Sequence, residues 1–419
     1  MLMRILYHYY RTFFLKKHIQ SRKQLIAHQN RQFQSLARKC LPRSPYYKPY
    51  IGKPLNEWPV INKQIMMAHF DEINTVGIKK MDALTVALNA EQSRDFSPLM
   101  NGISVGLSSG TSGQRGLFLA SPRERDAWAG IMLAHLLPHG FKNQERIALF
   151  LRSNNQLYTT LNKSRRIQFH FFDLLADFDQ SFHALNQMNP TILAAPASVL
   201  LALAKQKNRL TIHPTKLLAV AEVLEKKDED FISHVFEQPV SQIYQCTEGF
   251  LAISDKYNNR LMMNETFLII EKEWIDDRRF VPIITDLMRR TQPIIRYRLD
   301  DVLIEKKPTG ILTELLGIEG RLGDVCYGKK GTLTVPIFAD TIRQHIAAFL
   351  QIVDDYDIQQ EALDAFSIQV DSELINRDLF ITHLNQLFKQ KGCEIPHWQW
   401  HPYQKREIAL KRARIRGFK

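Results

Sequence analysis

The sequence predicts an α/β protein, with a large N-terminal unit of several subdomains built on wound sheets and a small α+β C-terminal unit. Three observations carry this reading. The 419 residues exceed the roughly 100–200 of a typical single domain. From Glu145 onward, short apolar stretches alternate with helical patterns, the rhythm of a largely parallel sheet covered by crossover helices. After Asn259 the pattern turns to strands bounded by turns, and the final 96 residues, from Asp324, have the length of an independent small domain.

In chain order, residues 1–42 read as a basic amphipathic helical segment. Apolar residues recur there at spacings of three and four with Arg, Lys and Gln between them, as one long helix or two broken ones. The stretch Leu41-Pro-Arg-Ser-Pro-Tyr-Tyr-Lys-Pro49 ends it, because a residue before proline is pushed out of the helical region. Residues 146–151, 191–195 and 216–221 read as buried strands, with helices over 197–206 and 229–237 between them. Residues 267–271 and 280–285 are expected in an antiparallel or barrel-like unit, and a new compact unit is expected to begin near Gly320. It reads strand, helix over 339–350, strand over 366–370, helix over 376–391, then a basic tail.

With 45% hydrophobic and 24% charged residues, the composition is that of an ordinary globular chain and excludes disordered or fibrous classes. Cys40, Cys246, Cys326 and Cys393 are far apart and form no Cys-x-x-Cys pair, so a reducing, cytoplasmic setting is expected. Residues 1–17 lack the unbroken apolar core and small-residue cleavage site of a secretory signal. No apolar run approaches the roughly 18 residues of a membrane-spanning helix. The net charge of +13 sits at the ends. Residues 1–50 hold eleven Lys or Arg and no acid, residues 405–419 hold seven against Glu407 alone, and the body between is net −4.

The segment Gly106-Leu-Ser-Ser-Gly-Thr-Ser-Gly-Gln-Arg-Gly116 packs four small hydroxyl residues and four glycines into one stretch. Glycines let backbone N–H groups approach an oxyanion, and hydroxyls add donors or a magnesium contact. It lacks the Gly-Lys-Ser/Thr of a Walker loop and the spacing of the dinucleotide fingerprint. Taken alone, it is equally a surface loop.

Three further segments follow it in order: Ala221-Glu222-Val223, Tyr244-Gln-Cys-Thr247-Glu248, and Pro293-Ile-Ile-Arg-Tyr-Arg-Leu-Asp-Asp301 with Gly320-Arg321-Leu-Gly-Asp324. Together the four resemble the adenylate-forming superfamily of acyl-CoA synthetases. Ser44-Pro-Tyr-Tyr-Lys-Pro-Tyr50, Trp58-Pro-Val-Ile-Asn-Lys63 and Thr285-Asp-Leu287 resemble its branch of phenylacetate-CoA ligases and coenzyme F390 synthetases. The resemblance runs from about Arg43 to the tail. It implies an AMP-binding domain over 43–321, a mobile C-terminal domain over 324–419, and a hinge at 322–324 where Gly323 permits a large torsional change.

Carried over position by position, the resemblance implies that Ser108, Ser109, Gly110, Thr111, Ser112 and Gly113 hold the β- and γ-phosphates of ATP. Ala221 and Glu222 would lie at the adenine, Tyr244 would contact the bound nucleotide, Thr247 would lie at the α-phosphate, and Glu248 on Mg2+, to which a carboxylate is a suitable hard ligand. Asp301, or Asp300 beside it, would accept the ribose hydroxyls, and Arg321 would contact the nucleotide. The superfamily's catalytic lysine falls on Lys411, with Lys405 as the alternative, or the basic tail is solvated and carries none.

The expected activity is ATP-dependent adenylation of a carboxylic acid, aromatic acids being common in the branch, followed by transfer to a thiol. Coenzyme A is the expected acceptor, with an acyl carrier protein, an amine or a hydroxyl as alternatives. From another class comes a basic peripheral binding protein with a degenerate site, since Tyr7, Tyr9, Tyr10, Phe13 and Phe14 among cations suit membrane contact. No nucleic-acid reader motif accompanies the charge, so no nucleic-acid partner is expected; a homodimer is open. The spacings of His135 with His139 and of His397 with His401 do not read as metal sites, because no Glu or Cys completes a ligand set.

Overall fold

Residues 1–40 form two helices, α1 (Leu2–His18) and α2 (Arg22–Lys39), broken at Ser21, whose side chain accepts the Gln24 N–H and caps α2. This computed structural model describes residues 1–93, 98–108, 115–137, 140–151, 166–255, 258–307, 310–349, 352–404 and 413–418. After the proline-containing stretch come α3 (Lys63–Ala68), α4 (Phe70–Ile73) and α5 (Lys80–Ser93), and further on α6 (Pro122–Leu136).

The basic segment is part of the body. Ile5 and Tyr9 of α1 are buried against α6, where Gly130 lets the backbones close up: a Cβ there would lie 2.4 Å from the Ile5 carbonyl oxygen. α2 buries Leu25, Phe33 and Leu36, and its Gln29 amide donates to the carbonyls of Glu265 and Leu268 at 2.9 and 2.8 Å.

Strands β1 (Leu99–Met100), β2 (Ile103–Leu107) and β3 (Leu117–Ala120) form a small antiparallel sheet. The main sheet begins with β4 (Glu145–Leu151), β5 (Ile167–Asp173), β6 (Ile192–Ala195), β7 (Lys216–Val220) and β8 (Val240–Gln245), all parallel in the order β5-β4-β6-β7-β8. Successive residues of these strands point into two different cores. Ile147 and Leu149 face α1 and α6, whereas Ala148 and Phe150 face the helices Phe178–Met188, Ala197–Lys205 and Lys226–Phe236. Both faces being buried, the strands read as continuous apolar runs.

The same sheet continues antiparallel through β9 (Phe250–Ser254), β10 (Leu261–Met263), β11 (Leu268–Trp274), β12 (Arg279–Asp286), β13 (Tyr297–Arg298), β14 (Asp301–Glu305) and β15 (Glu314–Arg321). Among the described residues it has twelve strands. The expected change of pattern after Asn259 thus marks a switch of strand direction within one sheet, which already begins at β9.

After a 3₁₀ turn at Leu322–Asp324, β16 (Cys326–Lys330) and β17 (Leu333–Ile337) form a hairpin. Then β18 (Asp355–Ala362), β19 (Ala365–Asp371), β20 (His397–Trp400) and β21 (Ile415–Arg416) form a sheet ordered β20-β19-β18-β21, packed on the helix Arg377–Gln390. The expected helix over 339–350 ends earlier, at His345. The sequence pattern gives no strand at β20; its Trp398 packs on Phe366 and Phe388. No described helix is long and apolar enough to cross a membrane.

Candidate active site

The glycine- and hydroxyl-rich loop leaves the end of β2 and returns at β3. Its neck is closed by Ser108 and Gly116: Ser108 N–H donates to the Gly116 carbonyl and Gly116 N–H to Ser108 Oγ, both at 2.8 Å. Ser108 is therefore a clasp at the base of the loop. Ser109, Gly110, Thr111, Ser112 and Gly113 lie outside the described residues. Arg115, beside the neck, holds Glu91 of α5 through two nitrogens and donates to the Ser108 carbonyl at 3.0 Å.

Opposite the neck stands the turn after β8. Thr247 Oγ1 donates to Glu248 at 2.9 Å, and the Tyr297 hydroxyl donates to the other Glu248 oxygen at 3.0 Å. The turn is tied to the loop's sheet by Arg289, which donates to the carbonyls of Thr247 and Leu119 at 3.0 and 3.2 Å. Below it, Glu124 accepts the backbone N–H groups of Arg290 and Thr291, and Gln292 bridges Leu117 and Leu119 of β3. A buried polar network thus fixes the two motifs relative to each other.

Tyr244 and Asp301 meet directly, the phenol donating to the carboxylate at 2.5 Å, with Arg321 Nε 4.0 Å from the same carboxylate. Asp301 is about one-quarter exposed and turned inward, whereas Asp300 is about two-thirds exposed. Burial and then Asp301 push the Tyr244 hydroxyl far above the usual phenol range, so it stays a donor. Burial, then the Glu248 and Asp301 carboxylates, likewise push the Cys246 thiol well up, which keeps it neutral and unsuited to attack.

Ala221, the residue after β7, is in the left-handed region, at φ 64°. Glu222 beside it accepts the Ser198 N–H at 2.9 Å, at the start of the helix Ala197–Lys205. Its carboxylate thus serves a helix N-terminus.

Lys63 was quoted in the sequence only as part of a resemblance, yet it stands in this site. Its side chain runs along the loop neck, the Cε lying 3.4 Å from where a Gly116 Cβ would be. Burial lowers its ammonium from the usual range, Glu248 and Asp300 oppose that, and Arg321 and Arg115 add to it. Three cations and two carboxylates therefore feel one another around Lys63, a mixture suited to a polyphosphate with a divalent ion. For magnesium, Glu248 fits as a single hard oxygen ligand to an ion that brings phosphate oxygens and water with it. Among the described residues no group of three or more His, Cys, Asp or Glu forms a metal cage.

Lys411 and its alternative Lys405 lie outside the described residues, but the chain on either side of them is anchored. Tyr403 hydroxyl donates to Asp355 before them, and after them Arg414 Nε donates to the same carboxylate at 2.9 Å. Arg414 is buried, and its other nitrogens reach across to Asp228 at 2.6 Å and Glu225 at 2.8 Å, at the start of the helix that follows Glu222. Burial alone would lower the guanidinium's pKa; Glu225 and Asp228 raise it on balance. A second contact across the seam joins Arg279 to Asp340 at 2.5 Å, and the Asp340 N–H donates to Glu319 at 2.6 Å.

No protein-family model matches the chain, and no curated protein matches it. Solved structures do. A 2-hydroxyisobutyryl-CoA ligase in the postadenylation state, in complex with 2-HIB-AMP, matches at 14% identity and TM-score 0.69, over 94% of this chain and 89% of its own. An acyl acid amido synthetase in complex with 2,4-DB matches at 12% and 0.57, over 89% and 83%. The amide bond synthetase McbA from Marinactinospora thermotolerans matches at 12% and 0.55, over 74% and 68%. The chain has the fold of the adenylate-forming ligases, with a C-terminal subdomain.

Proposed function

We propose that this protein is an ATP-dependent ligase that adenylates a carboxylic acid, and that the product is a thioester of coenzyme A. The observation that carries the reading is the placement of Lys63 and Arg115 at the neck of the glycine- and hydroxyl-rich loop, with Arg289 tying the Thr247–Glu248 turn to the loop's sheet, within this fold. We read residues 43–321 as the AMP-binding domain and 324–419 as the mobile one.

A carboxylate is a poor acyl donor because oxide is a poor leaving group. In the first half-reaction its oxygen forms a bond to the α-phosphorus of ATP while the bond to the β-phosphate oxygen breaks and pyrophosphate leaves. The loop 108–113 and the Lys63 ammonium neutralise charge on that leaving group, and Thr247 bonds the α-phosphate. Magnesium, held by Glu248, supplies charge neutralisation between phosphates when bound. Tyr244 and Asp301 orient the nucleoside, Asp301 accepting from the ribose, with Ala221 and Glu222 shaping the edge of the adenine site. Lys411 stabilises charge on the transferring phosphorus, and positioning supplies most of the rate. In the second half-reaction a thiolate sulfur forms a bond to the acyl carbon, the bond to AMP breaks, and the thiol proton goes to solvent. Rotation at 322–324 would withdraw Lys411 and admit the thiol.

The likeness to two amide-forming synthetases favours a second reading, in which an amine takes the acyl group. An acyl carrier protein is a third acceptor, one that the basic tail suits. Incubation with ATP, magnesium and a panel of aryl and aliphatic acids should release pyrophosphate with at least one acid. Adding coenzyme A, amines or carrier protein then identifies the acceptor by product mass. No pyrophosphate with any acid, together with no ATP binding, overturns the reading.

A further inference from the structure

The helix α1 carries two apolar stripes, and the fold uses one. Ile5, Tyr9 and Thr12 are buried, whereas Met3, Tyr7, Tyr10 and Phe14, spaced four, three and four apart, form a second stripe that is 83%, 62%, 63% and 58% exposed. Such spacing places them along one line of the helix surface. Lys17 extends the line by three more residues. Tyr7, Tyr10 and Phe14 form one wall of a groove of about 690 Å³, whose other wall is His28, Arg31 and Gln32 of α2. Within residues 1–50 eleven cations stand without a single acid.

We propose that this face of α1, with the rim of α2, docks on an anionic lipid surface. Tyrosine and phenylalanine on a helix lying in the membrane plane bury their rings at the headgroup boundary, and flanking Lys and Arg meet the lipid phosphates. Charge favours this occupant over a second copy of the chain. Arg4 and Arg22 of these helices are paired with Asp126 and Glu265 of the body, but Lys17 and Arg31, which flank the aromatic stripe, would face their own copies in a symmetric dimer. The contact would lie on a face formed by α1 and α2, apart from the residues given roles in adenylation.

The test is flotation of the full chain with vesicles of phosphatidylcholine alone and of phosphatidylcholine with phosphatidylglycerol. Binding is expected only with the anionic lipid, weakening at about 0.5 M salt as the charges are screened. A triple variant, Tyr7→Ser, Tyr10→Ser and Phe14→Ser, should lose vesicle binding about tenfold or more while acid-dependent pyrophosphate release is unchanged. A second variant, Lys17→Glu with Arg31→Glu, tests charge without touching the aromatic stripe and should show the same loss. Absence of binding to anionic vesicles overturns the proposal. So does undiminished binding by both variants, or a wild-type dimer in light scattering that the triple variant dissolves.

Discussion

At Glu248 two hydroxyl donors, from Thr247 and Tyr297, converge on one half-buried carboxylate. Glu248→Gln keeps an oxygen to accept from either hydroxyl but removes the charge. It should lower adenylation by about 10²-fold or more and raise the magnesium needed for half-maximal rate. An unchanged magnesium titration would refute the ligand role. Lys63→Met should raise the KM for ATP by about tenfold, through loss of a charge-assisted contact to phosphate; an unchanged KM would remove Lys63 from the site. Tyr244, Thr247, Glu248, Asp301 and Arg321 each sit in a short contiguous motif, and the fold brings Tyr244 and Arg321 to Asp301 and Thr247 to Glu248. Lys63 was not legible in the sequence as a site residue, because its place depends on pairing far along the chain. Ile61 N–H donates to the Arg296 carbonyl and Arg298 N–H to the Ile61 carbonyl, and this bridge sets the segment before Lys63 beside Tyr297.

Between elements, the crossing of α1 and α6 and the seam at Arg414 are the two contacts with little tolerance. Gly130→Ala puts a methyl against the backbone of α1, and should cost about 1–3 kcal/mol in denaturant unfolding. Arg414→Ala removes the cation shared by Glu225, Asp228 and Asp355 and leaves Arg343, beside Glu225, to face the three acids, and should cost about 3 kcal/mol or more. It should also raise amide exchange along the helix Lys226–Phe236; unchanged exchange there would mean that the pair does not hold the seam. Glu319 makes the same seam sensitive to pH. Burial first and Asp340 second push its carboxyl up to about 7, from an ordinary value of 4.5, against the pull of the Asp340 N–H, Arg343 and Arg279. A folded value above the unfolded one gives stability that is fully present below about 4.5 and lost as pH rises through about 7. Glu319→Gln should flatten the fall in Tm across that window, and an identical fall would assign it to other groups. Of the elements, the wound strands were readable because both faces are buried. β20 and β21 were hidden because they span only four and two residues, and each gains its place by pairing in the C-terminal sheet.

For the whole molecule, the net charge of +13 divides into two cationic ends and a slightly acidic body. The N-terminal excess belongs to two helices built into the body, and the C-terminal excess includes Arg414 and Arg416, which are paired with acids. The nucleotide site proposed here therefore rests on a loop neck and a few placed charges, Lys63, Arg115, Arg321 and Glu248, more than on the overall field. Acid-dependent exchange of labelled pyrophosphate into ATP tests this most directly, because it reports adenylate formation whatever the final acceptor. The wild-type protein should catalyse the exchange with magnesium and at least one carboxylic acid, and Glu248→Gln should abolish most of it. Exchange that is absent with every acid, or undiminished in Glu248→Gln, would contradict the account.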